Sequence, residues 1–223
     1  MTPGLIGTRN VIFDLDGTLV DSLPGIAEAY RDVFQYLGVE FPGMERIKSF
    51  IGPNVQIILN EVVGLKGKQL SEAVSVFRSS YGDGKYLNYR KYPGVDEMLK
   101  ELRDAGRKLF VATSKMQTMA SDLIGHAGWS TDFFSVAGVN PERNVNNKHD
   151  VLSHVLSYFN LESKMTVMVG DRVGDLESAR QLKIYSIGVL WGYGSREEVS
   201  RANPDVIVEQ IAELGGHLNR PCE

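Results

Sequence analysis

Asp14 and Asp16 stand two residues apart at the end of the run Val11-Ile12-Phe13-Asp14-Leu15-Asp16-Gly17-Thr18. Val, Ile and Phe without alternation read as a strand covered on both faces, and strand geometry puts residues two apart on one side. Like charges that close are costly unless a cation or a proton is shared between them, which points to metal-dependent chemistry. Gly17 permits a tight turn, and Thr18 offers a hydroxyl and an N–H to whatever sits there. The competing reading is an ordinary turn, since Asp, Gly and Thr are common turn residues. A calcium loop is excluded because its twelfth position is Gly25, where a bidentate Glu is needed.

Three further stretches carry side chains of the same chemistry. Thr113-Ser114-Lys115 follows the apolar run Leu109-Phe110-Val111-Ala112, where hydroxyls and fresh N–H groups can cradle a phosphate or cap a helix. Lys148 opens a helix, a poor place for a cation beside the helix dipole, so it is either a surface lysine or wanted by some other group. Gly170-Asp171-Arg172-Val173-Gly174-Asp175 follows Thr166-Val167-Met168-Val169. N-capping accounts for one of these two aspartates but not both. The four histidines show no metal-ligand spacing, and Gly64-Leu65-Lys66-Gly67-Lys68 reads as a turn.

The elements that must position these groups are legible from periodicity. Strands are predicted at 11–13, 108–113, 133–137, 165–169, 185–190 and 205–208. Helices are predicted at about 94–105, 117–127, 150–159 and 175–182, with a last one ending near Gly215. Strands alternating with helices imply an α/β fold, a doubly wound, mostly parallel sheet with a Rossmann-like core. Between Asp21 and Lys91 the pattern is helical throughout, with apolar residues at 26, 29, 30, 33, 34 and 37 on one face. The expected organisation is a catalytic core of residues 1–20 plus 92–223 and an inserted helical cap of residues 21–91.

Composition narrows the class. Of 223 residues, 43% are hydrophobic and 23% charged, the balance of a globular protein, and 24 basic against 28 acidic residues form no Lys/Arg block. No nucleic-acid footprint, membrane span or signal pattern over residues 1–10 is visible. The single cysteine, Cys222, has no intrachain partner, which excludes a disulfide framework and fits a cytoplasmic protein.

Asp-x-Asp-Gly-Thr, a strand-end Thr/Ser, a Lys and Gly-Asp-x-x-x-Asp, in this order and each in its strand or helix context, resemble the four motifs of the haloacid dehalogenase superfamily. The resemblance implies that Asp14 is the nucleophile forming an aspartyl-phosphate and Asp16 the general acid and then base. It implies that Thr113, Ser114 and Lys148 hold the phosphoryl group, and that Asp14, Asp171 and the Asp16 carbonyl bind Mg²⁺. Asp175 would orient waters or Lys148, with Thr18 supporting.

Asp16 argues against the dehalogenases proper. The insertion, together with Phe50-Ile51-Gly52-Pro53-Asn54, Tyr92-Pro93-Gly94-Val95 and the segment from Gly188 to Gly194, resembles the small-cap phosphoglycolate phosphatases and a related 5′-nucleotidase branch. Departures are Ser114 in place of a frequent Asn and Leu182-Lys183 in place of Ala-Gly. The implied function is a Mg²⁺-dependent phosphatase of a small phosphorylated metabolite, phosphoglycolate phosphatase-like. The alternatives are a 5′-nucleotidase or a β-phosphoglucomutase-like phosphomutase. Arg46, Asn54, Gln56 and Arg78 are the cap candidates for substrate contact, and the chain is expected as a monomer or homodimer.

Overall fold

A computed structural model of the chain describes residue 5 and residues 7–218. The expectation for Cys222, and part of that for residues 1–10, lie outside the described residues. Among the described residues no helix is long and apolar enough to cross a membrane.

The chain divides into two compact units. One holds the residues up to Val20 together with those from Lys91 onward, and the other is Asp21–Arg90. The first is built on a six-stranded sheet. Its strands are β1 (Asn10–Phe13), β4 (Lys108–Met116), β5 (Ser135–Val139), β6 (Thr166–Gly170), β7 (Tyr185–Val189) and β8 (Val206–Val208), with the short β2 (Val20–Asp21) and β3 (Arg90–Lys91) pairing separately. The order is β5-β4-β1-β6-β7-β8, and every ladder in the sheet is parallel. Helices α5 (Val95–Asp104), α6 (Gln117–His126), α7 (Lys148–Tyr158), α8 (Val173–Gln181), α9 (Arg196–Arg201) and α10 (Ile211–Leu218) complete this unit.

Strand β1 lies between β4 and β6, so the chain winds away from it in both directions. That makes its carboxyl end the switch point at which open parallel sheets bind ligands. Val11, Ile12 and Phe13 are fully buried, and burial of each such side chain contributes about 1.5–3 kcal/mol toward holding the strand in place. The strand can therefore end in charges without fraying.

The second unit packs α1 (Leu23–Leu37) against α4 (Gly67–Gly82), with α2 (Met44–Lys48), α3 (Val55–Ile57) and a π-turn at Ile58–Val62 between them in sequence. Its core is aromatic: Tyr30 lies 5.2 Å from Phe50 and 4.7 Å from Phe77, centroid to centroid.

Several boundaries differ from expectation. Strand β4 runs on to Met116 and not only to Thr113, its pairing with β5 shifting register between Ala112 and Met116, so Ser114 and Lys115 belong to a bulged strand end. Strand β5 begins at Ser135, leaving Phe133 and Phe134 before it. Helix α7 begins at Lys148 itself, because Asn147 caps it by accepting the Asp150 N–H at 3.0 Å. Helix α4 begins at Gly67, inside the stretch read as a turn, and α10 runs to Leu218. Helix α9 was not expected. Its six residues are too few for apolar periodicity to show.

Candidate active site

The turn after β1 is built by backbone bonds. The Asp14 N–H donates to the Val169 carbonyl at 2.9 Å, tying the strand end to β6. The Leu15 carbonyl accepts from Thr18, Leu19 and Val20, and the Gly17 N–H closes on the Val20 carbonyl at 2.8 Å. Gly17 adopts φ +95°, and a Cβ there would stand 2.4 Å from Asp171 Oδ2. Only glycine provides both the left-handed conformation and the room for that carboxylate.

Asp14, from β1, and Asp171 and Asp175, from the β6–α8 junction, bring carboxylate oxygens within 4.8 Å of one another, all three buried. Lys148 Nζ reaches into this cluster from the first turn of α7. It donates to Asp14 Oδ1 at 2.6 Å and to the Ala112 carbonyl at 2.8 Å, and lies 2.7 Å from Asp175 Oδ1. A cation at a helix N-terminus is unfavourable by itself. Two carboxylates and a carbonyl across the sheet outweigh that effect, and the lysine read as either surface or partnered is buried and partnered.

Asp171 is held from two sides. Thr18 Oγ1 donates to its Oδ1 at 3.1 Å and the Tyr193 N–H to its Oδ2 at 2.7 Å. The Asp175 carboxylate also accepts from the Arg172 N–H at 3.1 Å, an N-terminal capping contact of α8, so it caps and pairs with Lys148 at once. The loop following β7 closes over the turn. Trp191 Nε1 donates to the Thr18 carbonyl at 3.0 Å, and a Cβ on Gly192 would meet the Gly17 carbonyl at 2.3 Å.

Burial, then the Asp175 charge, pushes the Asp14 carboxyl up to about 8, against the opposing pull of Lys148. Burial and Asp175 likewise push Asp171 up to about 7, although the Tyr193 N–H and Thr18 resist. Burial weakens the hold of the Lys148 ammonium on its proton, but Asp14 and Asp175 together outweigh burial and raise its affinity. For the two carboxyl groups, negative charge adds to burial as a cause. Three carboxylates face one ammonium, leaving two negative charges, the complement of one divalent cation.

Asp16 sits beside this cluster, partly exposed. Lys115 Nζ donates to its Oδ1 at 2.9 Å and its Oδ2 at 3.1 Å. Thr113 is buried and its Oγ1 accepts the Lys115 N–H at 3.2 Å, while Ser114 is exposed. Lys115 is not among the site residues expected from sequence. Its signal was present in the alternation of β4, which places Lys115 on the same side as Thr113.

Of the cap candidates, Asn54 Oδ1 accepts the Gln56 N–H at 2.8 Å as the N-cap of α3. The Arg46 guanidinium lies over the Phe50 ring at 5.6 Å, and Arg78 is exposed on α4. Arg46, Asn54, Gln56 and Arg78 all belong to the helical unit.

A doubly wound parallel sheet with a buried acidic cluster and one ammonium at its switch point defines an α/β enzyme with an acidic active centre. More particularly, the chain belongs to the haloacid dehalogenase-like hydrolases, whose family model matches residues 11–189. It is similar to tyrosine-protein kinase PtkA of Mycobacterium tuberculosis, 33% identical over 197 residues that cover 88% of this chain and 67% of the relative. It is also similar to a 5′-nucleotidase of Pseudomonas aeruginosa, 31% identical over 206 residues covering 92% and 93%. The haloacid dehalogenase-like hydrolase SP0104 of Streptococcus pneumoniae superposes with a TM-score of 0.89 at 30% identity, over 96% of this chain and 98% of that one. The chain is accordingly a phosphate-monoester hydrolase of this family.

Proposed function

We propose that this chain is a Mg²⁺-dependent phosphatase that removes the phosphoryl group from a small metabolite through a covalent bond to Asp14. The observation that carries the reading is Lys148, bonded to Asp14 and paired with Asp175 within a buried cluster completed by Asp171. The donor set is all oxygen and two charges in excess, which suits a hard divalent cation. Asp14, Asp171 and the Asp16 carbonyl would hold it. When bound, Mg²⁺ supplies positive charge that offsets the repulsion between Asp14 and a phosphate dianion.

The protein's own groups perform the rest. Asp14 attacks phosphorus and the ester P–O bond breaks, with Asp16 giving its proton to the departing oxygen. Water then attacks the phosphorus of the aspartyl-phosphate and gives a proton to Asp16, releasing phosphate and restoring Asp14. Lys148 holds Asp14 in line and adds positive charge beside the phosphoryl oxygens, with Thr113 and Ser114 as further donors. Asp175 fixes the Lys148 ammonium. Arg46, Asn54 and Arg78 are proposed to contact the remainder of the substrate.

The substrate class proposed first is a small phosphorylated carboxylic acid of the phosphoglycolate type. The nucleotidase relative supports a nucleoside monophosphate as the second. Phosphate release is to be measured with and without Mg²⁺ on phosphoglycolate, nucleoside monophosphates and sugar phosphates. Release confined to one class and lost in EDTA is expected. No release from any of them by the folded protein would overturn the reading.

A further inference from the structure

The ion pair between Lys115 and Asp16 takes no part in the chemistry described above, yet its geometry is that of a built support. The Lys115 side chain is 4% exposed and that of Asp16 16% exposed. A lysine loses considerable rotamer entropy and solvation when buried, so an opposed charge within hydrogen-bond distance is required to keep it there. Nζ meets both Asp16 oxygens, at 2.9 and 3.1 Å, so the plane of the carboxylate is fixed as well as its position.

The lysine is itself held from behind. It sits in the bulge of β4, its N–H bonded to Thr113 Oγ1. Two residues on, Gln117 clamps the neighbouring strand, with Nε2 donating to the Val136 carbonyl at 2.9 Å and Oε1 accepting the Gly138 N–H at 2.8 Å. The bulge that re-aims Lys115 is therefore pinned to β5.

We propose that Lys115 is a positioning residue for Asp16, aiming its carboxyl group at the leaving-group oxygen of the substrate. This rests on the proposed acid role of Asp16. Without the ammonium, the Asp16 carboxyl group loses the two contacts that set its plane, and proton delivery to the leaving oxygen slows.

The test exploits leaving-group dependence. An alkyl phosphate needs a proton on its departing oxygen, whereas 2,4-dinitrophenolate departs without one. Values of kcat/KM report the steps up to cleavage of the ester bond. For Lys115→Met, kcat/KM on the best alkyl ester of the substrate panel is expected to fall about tenfold or more, and on 2,4-dinitrophenyl phosphate less than about threefold. Asp16→Asn is the reference and is expected to show the same selectivity at larger amplitude. Circular dichroism and Mg²⁺-dependent thermal shift confirm that each variant is folded and retains its acidic cluster.

Equal losses on both esters, or no loss on either, with Asp16→Asn still selective, would overturn the role of Lys115 alone. An Asp16→Asn variant without selectivity would remove the acid role on which it rests. A wild-type protein inactive on every ester would overturn the phosphatase reading itself.

Discussion

Asp14→Asn should make the metal-free protein more stable while abolishing its turnover. The Asp14 carboxyl is pushed from 3.8 in the unfolded chain to about 8 in the fold. Between these values the folded state holds a proton that the unfolded state has released, so stability falls as pH rises through that window. The slope for one such proton is about 1.4 kcal/mol per pH unit, so from pH 5 to pH 7 the wild type loses about 3 kcal/mol at this residue. Asparagine titrates in neither state and escapes the loss, and its Oδ1 can still accept from Lys148.

For a chain of this size that difference corresponds to a gain of about 6–12 °C in Tm for the variant at pH 7 relative to pH 5. The assay is thermal unfolding followed by circular dichroism in EDTA at pH 5, 6, 7 and 8, wild type against variant. The gap should widen with pH and level off near 8. Saturating Mg²⁺ should close it, because the cation stabilises the site that retains Asp14. A variant less stable than wild type in EDTA at pH 7, or a gap independent of pH, would refute the excess-charge account of the site.

Lys148→Met should act in the opposite sense. It leaves the Asp14 and Asp175 carboxylates without their ammonium, which should cost about 3–5 kcal/mol in EDTA by denaturant titration, and phosphate release should vanish. Mg²⁺ should raise the wild-type Tm more at pH 8 than at pH 5, because binding at pH 5 must first displace the protons that burial holds on Asp14 and Asp171; an equal shift at both would count against the site. Gly192→Ala forces a Cβ to 2.3 Å from the Gly17 carbonyl and 2.5 Å from Asp171 Oδ2, so a loss of about 1–3 kcal/mol and weakened Mg²⁺ binding are expected. Asn54→Ala should cost about 1 kcal/mol from the lost cap, and a rise in KM at unchanged kcat would show that it also touches substrate.

Sequence alone reached the class of fold and the position of Asp14 and Asp171 after apolar strands, for two local reasons. Apolar runs without alternation mark doubly covered strands, and Asp14 and Asp171 each follow such a run, so both had to emerge at strand ends. Periodicity likewise separated the helical stretch after Asp21 from the alternating remainder. Boundaries set by single contacts were not legible: the bulge that carries β4 through to Met116, and the six-residue α9.

Only the tertiary structure shows which groups the ammoniums of Lys148 and Lys115 meet. A lysine's local sequence does not say whether its ammonium meets water or a carboxylate, because its four-carbon stem can reach either. The parallel order around β1 settles it, since it brings residues 14, 112, 148 and 175 to one point although the chain separates the first and last by most of its length. The acids were declared by their neighbours in sequence; their partners were chosen by the sheet.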